Sequence, residues 1–219
     1  MADGDISDSM ISELGLRLED AAGTVFTTAL KFVMLNRAQV QAAQLLHNAY
    51  LTELETISSA SLDFSTTYAL SGIGNTVFRG ADGILKVKIS PAGSGFLWAT
   101  EVDISQVKRL ENTYLAGSAL NPVYYIFGNS IYPINGTTAG TLGTVYYLKV
   151  PTTLSTSVDP ILNKALHPLI VTLAEALCWA IDGKIDRKQA ALEIAMAEIE
   201  ILNARYTAAE NIGTSGRET

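Results

Sequence analysis

The chain has 219 residues, enough to bury a substantial core without disulfides or metals. Apolar residues make up 48% and charged residues 17%, below the roughly one quarter of an average globular domain, so part of the surface is expected to be covered by subunit or partner contacts. The net charge is −7 with no run of Lys and Arg, which excludes the phosphate-neutralising footprint of sequence-independent nucleic-acid binding.

The first twenty residues carry Asp3, Asp5, Asp8, Glu13, Glu19 and Asp20 against Arg17 alone, the wrong sign for a signal peptide, a transit peptide or a membrane-surface helix. Within residues 10–18, Ile11, Leu14 and Leu18 recur at three and four positions and predict a short first helix that stops near Gly23. A long helix is expected over 29–57, with Thr27 or Thr28 as its N-cap. Its stripe is Leu35, Ala38, Ala42, Leu45 and Ala49, widened by Leu46, Tyr50, Leu54 and Ile57. The small residues suit close approach of a neighbouring helix, so Leu35, Ala38, Ala42, Leu45 and Ala49 are the candidate subunit-interface residues.

Residues 58–153 change to a β pattern. Leu85, Val87 and Ile89 alternate with Lys86 and Lys88, the period-two signature of a half-buried strand, closed by Pro91. Residues 123–127 and 131–134 flank Gly128-Asn129-Ser130 and predict a hairpin. A further strand is expected over 145–150, after a Gly/Thr-rich link at 136–144 and before Pro151.

Helix returns over 159–208. Asp159-Pro160 reads as an N-cap followed by Pro at N1, and Pro168 either kinks that helix or starts a second one. Only Thr172 and Glu175 are polar between Leu169 and Ile181, so this stretch is expected to be buried on nearly all sides. It falls short of the roughly 18 consecutive apolar residues of a membrane span. Asp182-Gly183-Lys184 breaks it, and a last helix over 186–208 places Leu192, Ala195, Ile199, Leu202 and Tyr206 on one face, with Glu193, Glu200 and Arg187 solvated outside. Residues 209–219 read as a flexible tail. The predicted class is α+β: a helical bundle from 1–57 and 159–208, with the β-rich 58–153 inserted, as one domain.

No catalytic set emerges. His47 and His167 stand far apart without a second ligand type at metal spacing, and Cys178 has no base beside it and no partner for an intrachain disulfide. The lone cysteine fits synthesis in a reducing cytoplasm. Gly72-Ile73-Gly74 and Gly93-Ser94-Gly95 do not extend to a phosphate-binding fingerprint and read as loops. Glu53/Glu55 and Glu198/Glu200, two apart on helices, point away from each other. Tyr124, Tyr125, Tyr146 and Tyr147 read as cross-strand packing rather than a ligand pocket. The expectation is a non-enzyme without cofactor or metal.

Two stretches carry a family likeness. Thr24-Val25-Phe26-Thr27 followed by Leu35-Asn36-Arg37-Ala38-Gln39 is similar to the start of the first long helix in the head-to-tail adaptor (connector) proteins of tailed bacteriophages. Val123-Tyr124-Tyr125-Ile126 with Gly128-Asn129-Ser130-Ile131 resembles their hairpin, and Tyr146-Tyr147, Pro151 and two helices follow in the same order. The resemblance implies a virion protein of the neck between capsid and tail, made in the bacterial host cytoplasm. It implies a dodecameric homo-oligomer ring that binds the portal protein above and tail or nozzle proteins below. Double-stranded DNA would pass through the lumen without specific binding, and no membrane is involved. An acidic chain fits such a channel. The tail is a candidate portal-docking peptide, anchored by Ile212 and Arg217. The other reading is a different tail-completion or nozzle-associated ring.

Overall fold

The computed structural model describes residues 5–58, 62–63, 67–73, 77–90, 97–110, 121–134 and 142–215. The class is α+β. The chain divides into two compact units: Met1–Leu54 with Pro151–Thr219, and Glu55–Val150.

The first unit is helical. Helix α1 spans Asp5–Arg17, longer at its start than the apolar stripe indicates. The reason is a cap from far along the chain: Asp159 accepts the Ile6 and Ser7 backbone N–H groups at 3.1 and 2.9 Å. Asp159 therefore caps α1 and not, as its neighbour Pro160 suggests, a helix of its own. A tight turn follows α1. The buried Asp20 carboxylate accepts the Thr24 hydroxyl and the backbone N–H groups of Thr24, Val25 and Phe26, and the Asp20 carbonyl accepts from the buried Lys31 ammonium at 2.8 Å.

Helix α2 spans Thr28–Leu45, capped by the Thr27 side chain. It ends twelve residues short of the expected Ile57, because Asn203 takes over both loose ends: its amide donates to the Leu45 carbonyl and its carbonyl accepts the His47 N–H, each at 2.8 Å. The apolar residues beyond continue as two 3-10 turns, Asn48–Tyr50 and Thr52–Leu54. Tyr50 and His47 then pack on the Tyr206 ring, edge-on and stacked respectively.

Pro168 starts a helix rather than kinking one. Lys164–Leu166 forms a 3-10 turn capped by Asn163, and α4, His167–Ile181, begins with Pro168 in its first turn, where a missing N–H costs nothing. The short helix α3, Val107–Leu110, lies in the other unit. As the sequence indicates, α4 is buried on most sides and packs against α1, α2 and a final helix, α5, Ile185–Ser215. The window 164–181 has the length and composition of a membrane span, but 61% of it is buried inside the protein, as in a core helix. Between α4 and α5, Gly183 takes φ +72°, a conformation that disfavours a side chain. The α5 backbone is helical to Ser215, into the segment 209–219 whose Gly, Ser and Thr content predicts a flexible tail. Arg217 lies outside the described residues.

The second unit is built of short strands: β1 Glu55–Ile57, β2 Leu62–Asp63, β3 Tyr68–Ala69, β4 Ile84–Ser90, β5 Leu97–Trp98, β6 Thr100–Glu101, β7 Val123–Phe127, β8 Ser130–Ile134 and β9 Leu142–Leu148, with α3 at Val107–Leu110. One sheet runs β1-β9-β4-β5, with β2 also on β9, and the other runs β3-β8-β7-β6. Val87, Ile89, Val145 and Tyr147 of the first sheet and Tyr124 and Ile131 of the second share one core. The expected hairpin is β7–β8. Phe127 pairs with Ser130, leaving Gly128-Asn129 as the two-residue turn, with φ +58° at Gly128. Glycine at that first position suits the turn type whose twist matches the strands. Gly74, Gly93-Ser94-Gly95, Pro91 and 136–141 of the Gly/Thr-rich link lie outside the described residues.

Candidate assembly surface

The residues singled out for chemistry are occupied with structure. The thiol of the buried Cys178 is pushed up to about 11 by burial, so it stays protonated near neutral pH. The ring Nε2 of His167 sits 3.0 Å from the Leu162 carbonyl oxygen, and His47 caps the first 3-10 turn. A cleft of about 210 Å³ between α1 and the start of α4 is lined by Asp5, Glu13, Lys164 and His167. Among the described residues no cluster of three His, Cys, Asp or Glu side chains is placed to hold a metal ion.

The tyrosines pack across strands. Tyr125 stacks on its register partner Tyr132 at 4.8 Å between centroids, and Tyr146 packs on Trp98 at 5.2 Å. Tyr124 is buried and donates to Glu101, and burial followed by that carboxylate's charge holds its phenol well above the usual range. Lys88 lies 4.2 Å from the Trp98 ring centre.

The proposed interface stripe on α2 divides. Leu35, Ala38 and Ala42 are wholly buried within their own chain, on a helix that packs against α4 and α1. Ala49 is half-buried in the 3-10 turn beyond the helix, whereas Leu45 is 43% exposed. An apolar stripe chosen by spacing alone finds the face that packs, and here the packing partner is internal.

The neighbouring polar residues have a structural task that sequence spacing did not reveal. Asn36 donates to the Leu154 carbonyl at 3.1 Å and accepts the Leu154 N–H at 2.7 Å, while Gln39 donates to the Thr152 carbonyl at 2.7 Å. The two amides hold the segment at 152–154 against α2. Beside this clamp lies an open groove of about 520 Å³, lined by Val33, Asn36, Arg37, Val40, Gln41 and Thr153.

Helix α5 carries two apolar stripes. Ala191, Ala195 and Ile199 are buried, as the periodicity indicates. One residue out of phase, about 100° round the helix, Ala190, Ile194, Ala197, Ile201 and Ala204 form a second stripe that is exposed, with Ile194 at 62% and Ile201 at 60%. Periodicity alone indicates only solvated charges, Glu193, Glu200 and Arg187, on this outer side. Ile212 lies further along the same helix.

No curated protein matches the chain. The model of the family described as SU10 adaptor protein matches residues 7–216, and the chain belongs to that phage adaptor family.

Proposed function

We propose that this adaptor forms a ring beneath the portal and joins capsid to tail, acting as a structural part of the DNA exit channel rather than as an enzyme. The observation that carries the reading is the exposed second stripe of α5, which has no partner face within the described part of its chain. Ile194 and Ile201, two turns apart with Ala197 between them on the stripe, form with the alanines an exposed apolar strip of the kind that marks an interaction surface. A ring needs two different faces on each copy, and the groove along α2 is a second face.

The charge distribution suits a channel wall. Residues 55–150 hold six acids and six bases, so the whole excess of −7 falls in the helical unit. An acidic surface along a lumen lets DNA slide without being retained. The last turns of α5 and the residues beyond, with Ile212 and Arg217, are proposed to contact the portal; ending the chain before Asn211 is expected to weaken attachment and leave the fold intact. Co-sedimentation with isolated portal rings and with isolated tails separates this reading from a tail-completion ring. Binding to portal is expected, and binding to tails alone would reassign the protein.

A further inference from the structure

We infer that successive copies are joined by the outer stripe of α5 lying in the α2 groove of the next copy. This rests on the ring reading above and names its interface. The two surfaces match in spacing. Ala190, Ile194, Ala197, Ile201 and Ala204 alternate by four and three residues, and so do Val33, Arg37, Val40 and Gln44 along the outward side of α2. That alternation is the seam of two helices packed side by side, and alanine at every second place lets the backbones approach. The groove beside Val33 and Val40 is open and large enough to admit the isoleucine side chains.

Charge selects the partner. Over residues 189–204 the α5 surface carries Glu193, Glu198 and Glu200 and no base. Pairing this stripe with its own copy would set like charges along both rims of the seam, which is unfavourable. The α2 side is the complement: residues 21–52 contain no acid, and neither do 150–158, while Arg37 lines the groove and is exposed. Glu193 and Glu200 each precede one of the two isoleucines and lie about 10 Å apart along the helix, so that either one, according to the register of the seam, would meet that guanidinium. A contact of one face with a different face does not stop at a dimer, and where its rotation closes it makes the ring proposed above.

The test uses full-length chains carrying Val33→Cys and, separately, Ile194→Cys or Ile201→Cys, mixed, assembled on portal rings of the same particle and oxidised. The native Cys178 is buried and stays silent. A disulfide-linked dimer from the mixture with one of the two α5 variants, and from neither chain type alone, is the expected result. A dimer from the α5 variants alone would overturn the inference, because it reports the self-paired seam. A ring of full mass without any mixed disulfide would also overturn it while leaving the ring reading intact. Wild-type chains that add no mass to portal would remove both. In parallel, Arg37→Glu is expected to abolish assembly and Glu193→Lys with Glu200→Lys to restore it in the same chain; unchanged assembly of Arg37→Glu would contradict the pairing.

Discussion

Helices α4 and α5 are both rich in apolar residues and pack against each other, yet those residues meet different ends. In α4 ten of fifteen residues are buried against α1, α2 and α5, so its hydrophobicity is satisfied inside the unit. In α5 one stripe is buried and a second, of equal regularity, faces out. The first pattern stabilises a fold. The second leaves an unsatisfied surface, and the two are told apart by what happens when each is cut back.

The largest effect is expected in α4. Leu169→Ala, at a wholly buried position, should cost about 2–5 kcal/mol of folding stability, the range for a buried leucine that leaves a cavity. Chemical denaturation measures it, and a loss below about 1 kcal/mol, well under that range, would mean that α4 is not the centre of the unit.

Next comes the amide clamp. Asn36→Ala removes both bonds to Leu154 and strands its N–H and carbonyl, at a cost of about 1–3 kcal/mol. Hydrogen exchange at the Leu154 amide should quicken at the same time. Slow exchange in the variant would show that the segment is held by packing instead.

Asp20 gives an effect confined to acid. The Phe26 N–H, helped by the Thr24 hydroxyl and the Thr24 and Val25 N–H groups, holds its carboxyl at about 2, below its ordinary 3.8. A depressed folded value means that the stabilisation is complete above the ordinary value and is lost as pH falls towards 2. Denaturation curves of the wild type should therefore weaken over that interval more than those of Asp20→Asn. Parallel pH profiles would contradict this role for the carboxylate.

The smallest effect on folding sharpens the comparison most. Ile194→Ser should change monomer stability by less than about 0.5 kcal/mol, as expected for an exposed site, while removing assembly. A destabilisation like that of Leu169→Ala would mean that the second stripe packs inside its own chain.

Local signals in the sequence located the elements whose limits are set locally. The hairpin was readable because alternation and a Gly-Asn turn lie within twelve consecutive residues, and Gly183 marked the break before α5 for a similar reason. Limits imposed from afar were not readable: α2 stops where Asn203, 158 positions away, binds its end, and Asp159 serves a helix more than 150 residues earlier. The assembly surface was hidden by the same limitation. Spacing finds apolar faces, but only the fold shows that Leu35, Ala38 and Ala42 are consumed internally and that Ile194 and Ile201 are not.

The most direct measurement is light scattering of the purified chain, wild type and Ile194→Ser, each alone and mixed with portal rings from the same particle. The account predicts that wild-type chains form a ring, alone or as a stoichiometric gain in portal mass, and that folded Ile194→Ser chains form neither. A wild-type monomer indifferent to portal, or an Ile194→Ser variant that assembles normally, would contradict it.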